Sequence, residues 1–111
     1  MTPNKAIEIV DRLKPNSYSE EEKLRWISEL DGMVQRLVFQ EDDVVQYSYP
    51  NDMDRELLIP APFDDVYALF LEAKIDYYNR EYANYNNSAT MFDAQFSEFK
   101  KAYIREHPAK G

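Results

Sequence analysis

Residues 66–85, VYALFLEAKIDYYNREYANY, constrain the fold more than any other stretch of the chain. Wound as a helix, they place apolar side chains on two faces. Val66, Leu69, Phe70, Ala73 and Tyr77 form one; Tyr67, Leu71, Ile75, Tyr78, Tyr82 and Tyr85 form the other. A helix that is apolar on most sides sits at the centre of its fold or is covered in part by a partner. Pro60-Ala61-Pro62 launches this helix in the sequence reading, and Asn84, Asn86 and Asn87 end it near Tyr85.

Three more helices are predicted around it. The first runs from Pro3 to Leu13, with Thr2 as cap and Pro3 at the first helical position. Ala6, Ile9, Val10 and Leu13 share its apolar face, and Lys14-Pro15-Asn16 stops it, because the residue before a proline is pushed out of the helical region. The second opens at Ser19-Glu20-Glu21-Glu22, where Ser19 and Glu22 have capping-box spacing. Its stripe is Leu24, Ile27, Leu30, Val34, Leu37 and Val38, widened by Trp26 and Met33. Gly32 lies inside it at a cost of about 1 kcal/mol relative to alanine, which fits close approach of another backbone or a simple kink. The last helix is predicted to start at Ser88 and to stop at Pro108, with Phe92, Phe96, Phe99 and Tyr103 as an aromatic seam.

Residues 41–60 break the helical period. Val44-Val45-Gln46-Tyr47-Ser48-Tyr49 and Glu56-Leu57-Leu58-Ile59 read as short strands, joined through the turn residues Pro50-Asn51-Asp52. The expected fold class is therefore mainly α: a bundle of about four helices with a small β-hairpin between helices 2 and 3. The whole of 1–111 reads as one domain, with 41–60 as a hairpin or loop insertion and 107–111 as a tail.

Composition narrows the function classes. With 111 residues, 44% of them hydrophobic, the chain can bury a core without disulfides or metal. It has no cysteine, which removes thiolate chemistry and cysteine-ligated zinc. No secretory run and no membrane-length apolar stretch is visible, so the expectation is a soluble protein of the cytoplasm. The net charge of −8 disfavours tight binding to a phosphate backbone. Residues 1–56 carry 13 acids against 7 bases, concentrated at Glu41-Asp42-Asp43 and at Asp52, Asp54 and Glu56. The bases gather late, at Lys100, Lys101, Arg105 and Lys110. Opposed charges at two ends suit head-to-tail contacts, and equally describe a solvated acidic loop with cations at a helix C-terminus.

Enzyme motifs fail in turn. The single histidine, His107, cannot build a triad or a two-histidine metal site, and two glycines cannot make a phosphate loop. Asp52-x-Asp54-x-Glu56 alternates like a calcium loop but lacks its glycine, and Phe63 stands where the twelfth-position glutamate belongs. Asn86-Asn87-Ser88 matches a glycosylation acceptor, which means nothing without secretion. No catalytic, cofactor or metal residue is assigned.

The nine tyrosines are the better signal, because tyrosine pairs a large apolar face with a hydroxyl that tolerates water. They complete the core of a small domain or form contact surface. Stacking on single-stranded nucleic acid is disfavoured, since only Lys74 and Arg80 lie near the cluster. The candidate interface residues are Tyr47, Tyr49, Leu57, Tyr77, Tyr78, Tyr82, Tyr85, Lys100 and Lys101.

The order of several pieces resembles one family. These are the break at Lys14-Pro15-Asn16, then KLRWISELDG at 23–32, ELLIPAPFDDVY at 56–67, AKIDYYNRE at 73–81, Tyr85-Asn86-Asn87, and Phe92, Phe96 and Phe99. Over about residues 3–106 the chain is similar to the small head–tail connector, or head-completion, proteins of tailed phages and prophages of Gram-positive bacteria. The resemblance implies a non-catalytic virion assembly subunit. It implies a ring of identical copies, formed at the latest on assembly, between a portal protein and a tail-side connector. It implies a place in the virion, or in the host cytoplasm during assembly, with no sequence-specific nucleic acid and no membrane. The alternative is a small helical adaptor or regulatory module that binds another protein.

Overall fold

The computed structural model describes residues 1–108. Four α-helices follow in order: α1 (Pro3–Leu13), α2 (Glu20–Met33), α3 (Val66–Tyr78) and α4 (Tyr82–Glu106). A single π-helical stretch, Val34–Val38, continues α2. Of the tail read over 107–111, residues 109–111 lie outside the described residues.

The caps read from the sequence form as hydrogen bonds. Thr2 Oγ1 accepts from the Lys5 N–H at 3.2 Å, and Ser19 Oγ accepts from the Glu22 N–H at 3.1 Å. Helix α3 is the central element, packing against α1, α2 and α4. Val66, Tyr67, Leu71 and Ile75 are all fully buried on it. They meet Ala6, Ile7 and Val10 of α1, the α2 residues Leu24, Ile27 and Leu30, and Phe99 of α4 in one core. Most of the apolar surface of α3 is thus covered within a single copy.

Three boundaries differ from the sequence reading. Helix α3 begins at Val66 rather than at Pro60, because residues 60–65 form turns, with Phe63 N–H on Pro60 O at 2.9 Å and Val66 N–H on Phe63 O at 3.3 Å. It ends at Tyr78 rather than Tyr85. Arg80 takes a left-handed conformation (φ 60°), and the Glu81 N–H reaches back to Asp76 O at 2.9 Å, closing the helix as glycine usually does. Helix α4 therefore starts at Tyr82, and Ser88, expected as its cap, is a buried residue one and a half turns inside it.

The apolar faces shift as well. On α1 the buried residues are Pro3, Ala6, Ile7 and Val10, while Leu13 is 67% exposed. Leu37 is equally exposed, because the π stretch widens the turn, with Phe39 N–H bonding back to Val34 O, and rotates the stripe off its register. At Gly32 the close approach comes from a side chain: a Cβ there would stand 3.3 Å from Val44 Cγ1.

The β-hairpin is not formed. Among the described residues there is no strand, and 41–60 is a loop wrapped against α2. Its inward anchors are Met53, Leu57 and Ile59, all in the core. Met53 O and the Leu57 N–H bond to the Asn4 N–H (3.0 Å) and to Met1 O (2.9 Å), so α1 and its approach take the place of a partner strand.

Candidate protein-interaction surface

The turn between α3 and α4 carries an aromatic corner. Tyr77, Tyr78 and Tyr82 are 51%, 52% and 58% exposed. The cluster is built from below. The buried Trp26 ring on α2 stacks on Tyr78 at 5.6 Å with 8° between planes, and Tyr18 meets Trp26 edge-on at 5.4 Å. The Tyr18 hydroxyl donates to Asn79 Oδ1 at 2.8 Å, fastening the α3 C-terminus. Tyr77 touches Tyr78 at 5.3 Å and Tyr85 at 5.6 Å. Ring pairs of this kind add about 0.5–1.5 kcal/mol each beyond area burial, so the Tyr77 and Tyr78 rings are held in place. Beside them runs a groove of about 460 Å³ lined by Phe70, Lys74, Tyr77, Tyr85 and Phe92.

A buried polar tie fixes the corner. Asp76 on α3 is fully buried and accepts from Lys14 Nζ and from Ser88 Oγ (2.8 Å) on α4. The Lys14 amine is held above its ordinary pKa, first by its hydrogen bond to Asp76, against the opposing effect of burial, with Glu81 at 3.7 Å adding to the rise.

A second tie holds the loop. Asp31 of α2 is fully buried and accepts from the hydroxyls of Tyr47 and Tyr67 and from the Leu58 N–H at 3.2 Å. The Tyr67 hydroxyl in turn accepts from the Ile59 N–H at 2.8 Å. Burial pushes the Asp31 carboxyl above the usual carboxylate value, against the lowering effect of its donors. Burial, with the neighbouring carboxylate, pushes both tyrosine hydroxyls well up.

The nine sequence candidates fall into three places. Tyr77, Tyr78, Tyr82 and the half-buried Tyr85 make the corner. Tyr47, Tyr49 and Leu57 belong to the loop. Of these only Tyr49, 44% exposed, offers its ring freely; Tyr47 is committed to Asp31 and lies under the Arg55 guanidinium at 4.4 Å, and Leu57 is a core residue. Lys100 and Lys101 are exposed on α4, roughly 27 Å along the helix from Tyr82 at 1.5 Å per residue. Lys100 lies over the Phe96 ring at 5.1 Å, and Lys101 is 3.6 Å from Glu98.

Phe39 packs on Tyr103 at 5.1 Å near the end of α4, while the acidic run that follows it bonds back to the π-helical stretch, Glu41 N–H to Gln35 O at 2.9 Å and Arg36 to Asp42 O at 3.0 Å.

The carboxylates Asp52, Asp54 and Glu56 go to separate partners: the Ser48 N–H (2.6 Å), the Asn4 side chain (2.6 Å) and the Met1 amine (2.8 Å). The His107 ring stacks on Tyr103 at 4.1 Å in the open. Among the described residues no group of three or more His, Cys, Asp or Glu is arranged to hold a metal ion, and no helix is long and apolar enough to cross a membrane.

Sequence reasoning missed the residues that position the corner: Lys14, Tyr18, Asp76 and Ser88. The available signal was an acid among apolar neighbours, as at Asp76 between Ile75 and Tyr77 and at Asp31 beside Leu30. No protein-family model, curated protein or solved structure matches this chain.

Proposed function

We propose that this protein is a non-catalytic virion assembly subunit, one copy in a head–tail connector ring between a portal protein and a tail-side connector. Two supports differ in kind. The first is the order of sequence pieces from Lys14-Pro15-Asn16 to Phe99, which resembles that family. The second, which carries the reading physically, is the corner of Tyr77, Tyr78 and Tyr82, each about half exposed, in which Tyr78 stacks on Trp26 and Tyr77 packs on Tyr78. A ring is closed by heterologous contacts, in which one patch of each copy meets a different patch of the next. Rings ordered beforehand, as Tyr78 is by Trp26, suit such a contact, since little of their side-chain freedom is lost on docking. A helical adaptor for some other protein uses the same corner and differs only in its partner.

The test is a triple variant, Tyr77→Ser, Tyr78→Ser and Tyr82→Ser, supplied in place of the natural protein during particle assembly. These side chains lie at the surface, so circular dichroism is expected to show a retained helical fold. The yield of infectious particles is expected to fall by at least about tenfold, as anchoring aromatic residues at an interface centre dominate its energy. A folded variant with unchanged yield contradicts the reading.

A further inference from the structure

Residues 44–47 have the make-up of a strand and no strand partner. Their main-chain groups are satisfied on one edge only. The Gln35 carboxamide grips Val45 from both sides, Nε2 donating to Val45 O at 3.3 Å and Oε1 accepting from the Val45 N–H at 2.9 Å. Ser28 Oγ accepts from the Tyr47 N–H at 3.0 Å. The segment therefore runs antiparallel to α2, with Val45 near Gln35 and Tyr47 near Ser28, and directs these groups at the helix. In an extended chain, alternate residues turn their N–H and C=O to the opposite edge. Val44 and Gln46 are exposed, and among the described residues nothing bonds their N–H or C=O groups. Alongside lies a groove of about 740 Å³, with Val44, Gln46 and Tyr49 on one wall and Glu21, Glu22 and Arg25 of α2 on the other.

An unpaired edge is a template for strand addition. We infer that the Val44–Tyr47 edge takes up an extended, lysine- or arginine-bearing segment of a partner protein as an added strand. Charge selects this occupant. The segment is preceded by the exposed run Glu41-Asp42-Asp43, and the α2 wall adds Glu21 and Glu22 against one cation, Arg25. A second copy of the segment brings a second acidic run into the same space, and like charges across paired strands repel. A basic strand is attracted, and its main chain supplies the missing hydrogen bonds. The inference needs only this edge and these charges, and stands whether or not the chain builds a connector ring.

The probe is an acetylated and amidated heptapeptide of alternating lysine and valine. Two controls accompany it, one with glutamate for lysine and one with N-methylated backbone amides and unchanged charge. Amide hydrogen exchange of the whole protein is followed residue by residue. The lysine peptide at saturation is expected to slow exchange at Val44 and Gln46 by about tenfold or more, leaving Val45 and Tyr47, already bonded, unchanged. Neither control is expected to protect them. Absence of protection at Val44 and Gln46 overturns the inference, as does equal protection by either control. Protection that rises with protein concentration alone also overturns it, in favour of self-pairing.

Discussion

Replacement of Asp31 by alanine is expected to cost roughly 3–5 kcal/mol, a large share of the ~5–15 kcal/mol that holds an ordinary domain folded. The carboxylate is the shared acceptor for Tyr47, Tyr67 and the Leu58 N–H, and it is fully buried. Removing it leaves these donors without a partner, and a buried polar group left unpaired loses about 1–3 kcal/mol. The loop anchors Leu57 and Ile59 sit beside those donors, so their packing loosens as well. Urea unfolding followed by circular dichroism measures the loss; a change under about 1 kcal/mol contradicts the role given to this carboxylate.

The same residue sets a pH dependence of unusual sign. Its folded pKa is raised above the ordinary 3.8, chiefly by burial. Between those two values the folded state binds more protons than the unfolded state, so stability falls as pH rises through the window. The advantage of the natural protein over Asp31→Asn is therefore greatest below about pH 3.8 and shrinks as the folded carboxyl ionises. Urea curves for both proteins across that range check the sign.

Replacement of Lys14 by methionine is expected to cost about 3 kcal/mol or more, because it strands the buried Asp76 carboxylate with Ser88 alone. The loss reaches the α3–α4 turn, since Asp76 also accepts the Glu81 N–H through its carbonyl. Breaking a buried pair costs more than removing both charges, so Lys14→Met with Asp76→Leu is expected to be more stable than Lys14→Met alone. Additive losses in the double variant contradict the pairing. The folded Lys14 pKa lies above 10.5, so its contribution is complete below that value and fades as pH rises through the folded one. Loss of the natural protein's advantage over Lys14→Met already at neutral pH contradicts the assignment.

Local signals that depend on neighbours in sequence were legible. Thr2, Ser19 and Pro3 mark two helix starts, and the spacing of Phe92, Phe96, Phe99 and Tyr103 marks a seam whose successive rings do touch, at 5.4, 6.2 and 6.3 Å. What failed either lacks its usual residue mark or depends on contacts distant in the chain. Arg80 ends a helix in a conformation that glycine normally signals, so the break between α3 and α4 had no sequence mark, and the apolar period ran on through Tyr82 and Tyr85. The Val44–Tyr49 stretch has strand-forming residues, yet Gln35 and Ser28 take its backbone groups, and the expected partner around Leu57 is held by α1 and the core. The clustering of Tyr77, Tyr78 and Tyr82 is visible in the sequence; the roles of Lys14, Asp76 and Ser88 beside them are not, because a buried acid reads like a surface acid until its partners are known.

Cryo-electron microscopy of intact particles from the genome that encodes this chain tests the central claim most directly. The account predicts a ring of copies between portal and tail, with Tyr77, Tyr78 and Tyr82 covered by a neighbouring polypeptide. Particles that lack the chain, or a ring in which that corner faces solvent, contradict it.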